Sequence, residues 1–91
     1  MVVTRSLRIV GRVQGVGFRI YLKREADLRG VTGWVRNRND GSVEAVLHGS
    51  PAAVEAVTRW ARHGPRNAQV TDVQVSDGEG EYAGFEMRPT F

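Results

Sequence analysis

Gly11-Arg12-Val13-Gln14-Gly15-Val16-Gly17-Phe18-Arg19 joins two segments of different periodicity. Before the join, Leu7, Ile9, Gly11 and Val13 alternate with Arg8, Val10 and Arg12, which predicts a strand with one better buried face. After it, Phe18, Leu22 and Ala26 recur at i, i+4 and i+8 with Tyr21 beside them, which predicts a helix from Phe18 to Arg29 stopped by Gly30. The join itself carries two closely spaced glycines and an arginine in the first helical turn. Glycine lets backbone N–H groups turn inward and lets a ligand approach the main chain. A helix start adds donors without intrahelical partners and the positive end of a dipole. The guanidinium of Arg19 matches phosphate oxygens with a planar, permanently charged fork. The stretch can therefore hold a phosphate. Taken alone, it fits a tight strand-to-helix turn with a solvated arginine equally well.

Gly30-Val31-Thr32-Gly33-Trp34-Val35-Arg36-Asn37-Arg38-Asn39-Asp40-Gly41-Ser42-Val43-Glu44 predicts a strand, a turn at Asn39-Asp40-Gly41, and a returning strand. Asp-Gly is a strong hairpin signal because glycine accepts positive φ. Side chains alternate along a strand, so Val35 and Asn37 share one face, and Trp34 and Arg36 the other. Ser50-Pro51 predicts a helix start, with serine as N-cap and proline in the first position. Val54, Val57, Trp60 and Ala61 form its apolar stripe, Glu55 and Arg59 are spaced to pair, and Gly64-Pro65 ends it. Val70, Val73 and Val75 mark a fourth strand, Asp77-Gly78-Glu79-Gly80 a turn, and Phe85 and Met87 the last strand.

The order is β-α-β-β-α-β, with an extra short final strand or a split of the last one. Two interleaved βαβ units of this kind give an α+β, ferredoxin-like sandwich: an antiparallel sheet with both helices on one face. Ninety-one residues make one small domain, residues 1–91, with no linker or repeat. The apolar fraction of 41% and charged fraction of 25% are those of a globular protein. No apolar run approaches the about 20 residues of a membrane span. Met1-Val2-Val3-Thr4-Arg5 lacks a long apolar core before its first charge, so no secretion signal is expected. Without cysteine there are no disulfides and no thiol nucleophile, which fits a reducing, cytoplasmic setting.

The net charge is +3, and 12 of the 13 basic residues are arginine, scattered along the chain as solvated charges. That abundance makes Arg19 notable for its setting rather than its identity. A modest positive field also favours encounter with anions. RNA-recognition sheets display an exposed aromatic strand motif that this sequence lacks, so no nucleic acid partner is expected.

Few catalytic ingredients are present. There is no Asp-x-Asp pair for an aspartyl-phosphate route and no Gly-x-Ser-x-Gly elbow. His48 and His63 are isolated, Asp40 is expected to support its turn, and the dispersed acids suggest no metal site and no cofactor. What remains is attack by water on a phosphate held by protein donors, since phosphoryl transfer can work largely through positioning and electrostatics.

The two segments together resemble the acylphosphatase family, whose signatures have the form G-x-V-Q-G-V-x-F-R and G-x-V-x-N-x-x-D-G-x-V. Gly11, Val13, Gln14, Gly15, Val16, Phe18 and Arg19 match the first, and Gly33, Val35, Asn37, Asp40, Gly41 and Val43 the second. The ending Gly84-Phe85-Glu86-Met87-Arg88 is similar to the family's last strand, so the resemblance spans nearly the whole chain. It implies the same ferredoxin-like fold and a metal-independent hydrolase of acyl phosphates that needs no cofactor; a monomer is the default expectation, with the oligomeric state left open. It implies that Arg19 and Asn37 are catalytic, Asn37 by orienting the attacking water. It also implies a substrate cradle formed by Gln14, Gly15, Val16, Gly17, Phe18 and Arg19, with Gln14 shaping the loop. Gly17 occupies a position where the family also carries larger aromatic residues, and glycine there implies a more open or more mobile cradle. Two rival expectations are an RNA-binding module and a catalytically quiet domain serving assembly or regulation.

Overall fold

A computed structural model describes all residues, Met1–Phe91. The elements run β1 (Val3–Arg12), α1 (Phe18–Leu28), β2 (Thr32–Asn37), β3 (Val43–Gly49), α2 (Pro51–His63), β4 (Gln69–Asp77) and β5 (Phe85–Met87). They form one sheet in the order β4-β1-β3-β2-β5. The pairs β1–β3, β1–β4 and β2–β3 are antiparallel, as the ferredoxin-like order requires.

The short last strand adds a parallel pair with β2, so the five-stranded sheet is mixed rather than wholly antiparallel. Chain direction explains this. β4 ends at Asp77 opposite Arg5, near the start of β1, and β2 starts at that same end of the sheet. The segment between β4 and β5 crosses there, with Gly78 N–H donating to Thr4 O at 3.0 Å and Gly33 N–H to Gly84 O at 3.0 Å. A chain arriving at that end runs along β2 in the same direction.

Alternation places Leu7, Ile9, Val35, Val43, Ala45, Leu47 and Val73 under the helices, which contribute Phe18, Leu22, Ala26, Val54, Val57 and Ala61. At roughly 1.5–3 kcal/mol for each large side chain fully buried, this layer supplies the main drive to fold. Trp60 is only half-buried, packing edge-on against Phe18 at 5.4 Å between centroids, while Thr58 joins the buried face by donating to Val54 O at 2.8 Å. Ser50 caps α2 as its sequence suggests, accepting from Ala53 N–H.

The expected Glu55–Arg59 pair is not formed; Glu55 instead borders a surface groove with Arg5 and Arg62. The ion pairs along a helix are on α1, Lys23–Asp27 and Arg29–Glu25. Trp34 is buried outside the main core, on the open sheet face, where the Arg36 and Arg88 guanidinium groups lie 4.9 and 4.7 Å from its ring. No helix is long and apolar enough to cross a membrane.

Candidate active site

The loop after β1 meets the end of β2 at one hollow of about 230 Å³, bordered by Gly15, Gly17, Phe18, Arg19 and Asn37. Local backbone chemistry opens the loop. Gly15 and Gly17 adopt φ of 74° and 78°, a left-handed conformation that costs other residues free energy. Gly17 is also the N-cap of α1, and no side chain caps that end. No protein acceptor takes the N–H groups of Gly15, Val16, Gly17, Phe18 or Arg19. They are a row of donors at the positive end of a helix dipole.

Asn37 reaches this hollow because β2 alternates. Gly33, Val35 and Asn37 lie on the helix-covered face, and Asn37 is the last residue of the strand, where the core ends. Its backbone is held from both sides. Asn37 pairs with Val43 across the hairpin, and Phe91 N–H donates to Asn37 O at 3.0 Å while Asn39 N–H donates to Phe91 O at 2.9 Å. Its carboxamide has no protein partner, and neither does the Arg19 guanidinium. The site thus combines backbone donors, one cation and one neutral amide, all free to meet an anion.

Gln14 is used differently from its neighbours. Its Nε2 donates to Arg38 O at 2.8 Å and to Ser42 O at 2.9 Å, tying the loop to the hairpin that carries Asn37. Val16 does not border this hollow; it packs against the core and borders a second hollow with Tyr21 and Trp60. His48 sits at the opposite end of the β2–β3 pair, paired with Thr32, and its Nδ1 lies 2.7 Å from Thr4 Oγ1. His63 ends α2. No cluster of three or more His, Asp or Glu side chains is arranged to hold a metal ion.

The acylphosphatase family model matches residues 5–87, a span that takes in the loop, Arg19, Asn37 and all seven elements apart from the first two residues of β1. The chain belongs to the acylphosphatase family. It is 58% identical over 85 residues to the acylphosphatase of Thiobacillus denitrificans, covering 93% of this chain and 96% of that one. The solved acylphosphatase from Coxiella burnetii superposes with a TM-score of 0.92 at 32% identity, covering 96% of this chain and 93% of that one. That from Bacillus subtilis gives 0.90 at 34% identity, covering 97% and 99%.

In this acylphosphatase the charges around the hairpin are tightly paired. Asp40 accepts from the Ser42 hydroxyl at 2.6 Å and from Ser42 N–H at 2.9 Å, and pairs with Arg8 at 2.8 Å. The Ser42 bonds, then Arg8, hold its carboxyl down to about 2. Asp40 thus supports its turn, as its place in the sequence suggests. Partial burial pushes the Glu44 carboxyl up, but hydrogen bonds and charge from Arg36 and Arg38 outweigh it, so its pKa is lowered. One contribution had no sequence signal: the main chain of Phe91, which braces the strand end bearing Asn37.

Proposed function

We propose that this acylphosphatase hydrolyses the carboxyl-phosphate bond of small acyl phosphates, releasing a carboxylate and inorganic phosphate, with no metal or cofactor. The observation that carries the reading is that Gly15, Gly17, Phe18, Arg19 and Asn37 border one hollow, in a loop whose N–H groups from Gly15 to Arg19 have no protein acceptor. The loop donors and Arg19 bind the phosphate oxygens. Arg19 also stabilises charge as the bond to the leaving group breaks. The Asn37 carboxamide oxygen accepts from a water and aims its oxygen at phosphorus.

A carboxamide is no base near neutral pH. The proton of the attacking water therefore passes to a non-bridging phosphate oxygen. The water oxygen bonds to phosphorus, the P–O bond to the acyl group breaks, and the carboxylate leaves with the electron pair. A carboxylate departs without a strong general acid, which suits a site with no acidic side chain on its border. Gln14 fixes the loop through Arg38 O and Ser42 O, and Val16 and Phe18 contribute backbone donors to the cradle. Every proposed group comes from one chain, which fits a monomer. The absence of cysteine fits the cytoplasm.

The test is hydrolysis of benzoyl phosphate by the purified protein in excess chelator. Turnover with one phosphate released per benzoate is expected. A folded protein that leaves benzoyl phosphate intact would overturn the reading.

A further inference from the structure

One residue on the border of the cradle hollow has no part in holding phosphate or water. Gly15 and Gly17 present only main chain there, and Arg19 and Asn37 present polar groups. Val13 and Phe18 are 1% and 2% exposed, so they close the floor and keep almost no surface for a ligand. Ile20 completes the border and is 48% exposed. It is the accessible apolar side chain of this hollow.

Local geometry explains its place. Ile20 is the third residue of α1, whose buried face is formed by Phe18, Leu22 and Ala26. Two residues on from Phe18, it is turned about 200° around the helix and leaves the core. Cα–Cβ bonds tilt toward the helix N-terminus, so a side chain in the first turn leans back over the loop that precedes it. The turn that presents N–H donors therefore also carries an apolar group beside them.

An acyl phosphate is a dianionic head joined to an acyl body, and only the head suits a cradle of N–H groups and a guanidinium. In an in-line displacement the leaving oxygen lies opposite the attacking water. Asn37 borders the hollow from the sheet layer and Ile20 from the helix layer. Water held on the sheet side sends the leaving carboxylate towards the helix side.

We propose that Ile20 meets the acyl group of the substrate in this same hollow and is the specificity-determining residue, favouring an apolar acyl chain over acetyl. The inference rests on the acyl-phosphate reading above. Each methylene that leaves water against Ile20 contributes to transition-state binding. One side chain covers only one side of the acyl group, so it realises part of the full transfer free energy and the preference is modest.

The experiment compares kcat/KM for acetyl and butyryl phosphate and measures competitive inhibition by inorganic phosphate, which has no acyl group. The two leaving carboxylates are of nearly equal basicity, so a difference reports contacts to the acyl chain rather than leaving-group chemistry. In the wild type, kcat/KM is expected to rise about 5-fold from acetyl to butyryl. In Ile20→Ala the rise should shrink to less than about 2-fold with inhibition by phosphate unchanged, while Ile20→Leu, which keeps the apolar bulk, should retain it. Leu28→Ala, an equally apolar change on the 80% exposed residue at the far end of α1, should leave the rise as it is. Equal rates for both substrates in an active wild type overturn the inference, as does an undiminished rise in Ile20→Ala. Phosphate inhibition that weakens in Ile20→Ala as much as butyryl phosphate turnover does would also overturn it, because Ile20 would then act by shaping the loop. Failure of the folded protein to hydrolyse either substrate would instead overturn the acyl-phosphate reading, so the two failures are distinguishable.

Discussion

The cradle loop, residues 13–19, and the hairpin beside it, residues 37–44, are both polar turns at the same end of the sheet, yet they treat their polar groups oppositely. In the hairpin almost everything is paired: Asp40 with Ser42 and Arg8, Glu44 with Arg36 and Arg38, and Arg38 N–H with Ser42 O. In the loop the N–H groups of five successive residues and the Arg19 guanidinium have no protein partner. The paired turn makes a rigid support, and the unpaired one presents donors to a ligand. Two residues cross the boundary. Gln14 belongs to the loop but bonds the hairpin, and Asn37 is braced by its backbone while its side chain stays free.

The sharpest way to break this contrast is to remove the free groups. Arg19→Ala should lower kcat/KM for benzoyl phosphate by about 10³-fold and abolish competitive inhibition by inorganic phosphate. Asn37→Ala should lower kcat by about 10²-fold while phosphate still inhibits, because the cradle stays intact. Normal turnover in the Asn37 variant would sink its water-orienting role without touching the rest.

A smaller effect is expected at the seam between the regions. Gln14→Leu deletes two hydrogen bonds, but Arg38 O keeps Gly41 N–H and Ser42 O keeps Arg38 N–H as donors. The cost should be about 1–2 kcal/mol in urea unfolding, since neither carbonyl is left unsatisfied. KM should rise more than kcat falls, because the untied loop must be ordered by the substrate.

The least effect concerns the support alone. Asp40 has its pKa depressed from 3.8 to about 2, so its contribution to stability is present above 3.8 and is lost as pH falls towards about 2. Glu44, also depressed, acts in the same direction. The urea midpoint of the wild type should therefore drop on acidification through this window, and Asp40→Asn should make that drop shallower. An identical acid profile in the variant would show that the paired hairpin does not couple to folding.

Much of the frame was legible in the chain because its signals are local. Alternation in β1, the i, i+4 stripe of α1, the Ser50-Pro51 start and the Asp40-Gly41 turn each act within a few residues. The candidate site was legible for a related reason: glycines with positive φ, an arginine in the first helical turn and an asparagine at a strand end keep a fixed spacing to their own elements. What could not be read depends on distant partners. The Glu55–Arg59 spacing permits a pair, yet Glu55 lies beside a groove with Arg5 and Arg62. Alternation puts Trp34 on the face opposite Val35, but its cover there by the distant Arg88, beside Arg36, is a tertiary contact.

By itself, the sequence determined the element order, the apolar faces and the two segments that carry the resemblance to the family, because propensity and periodicity are properties of neighbouring residues. Only the tertiary structure decided that β5 runs parallel to β2, that Phe91 braces Asn37, that Gln14 serves the hairpin, and that Trp60 packs on Phe18. Each of those joins residues far apart in the chain, and such pairings exist only once the shared core has fixed where every element lies.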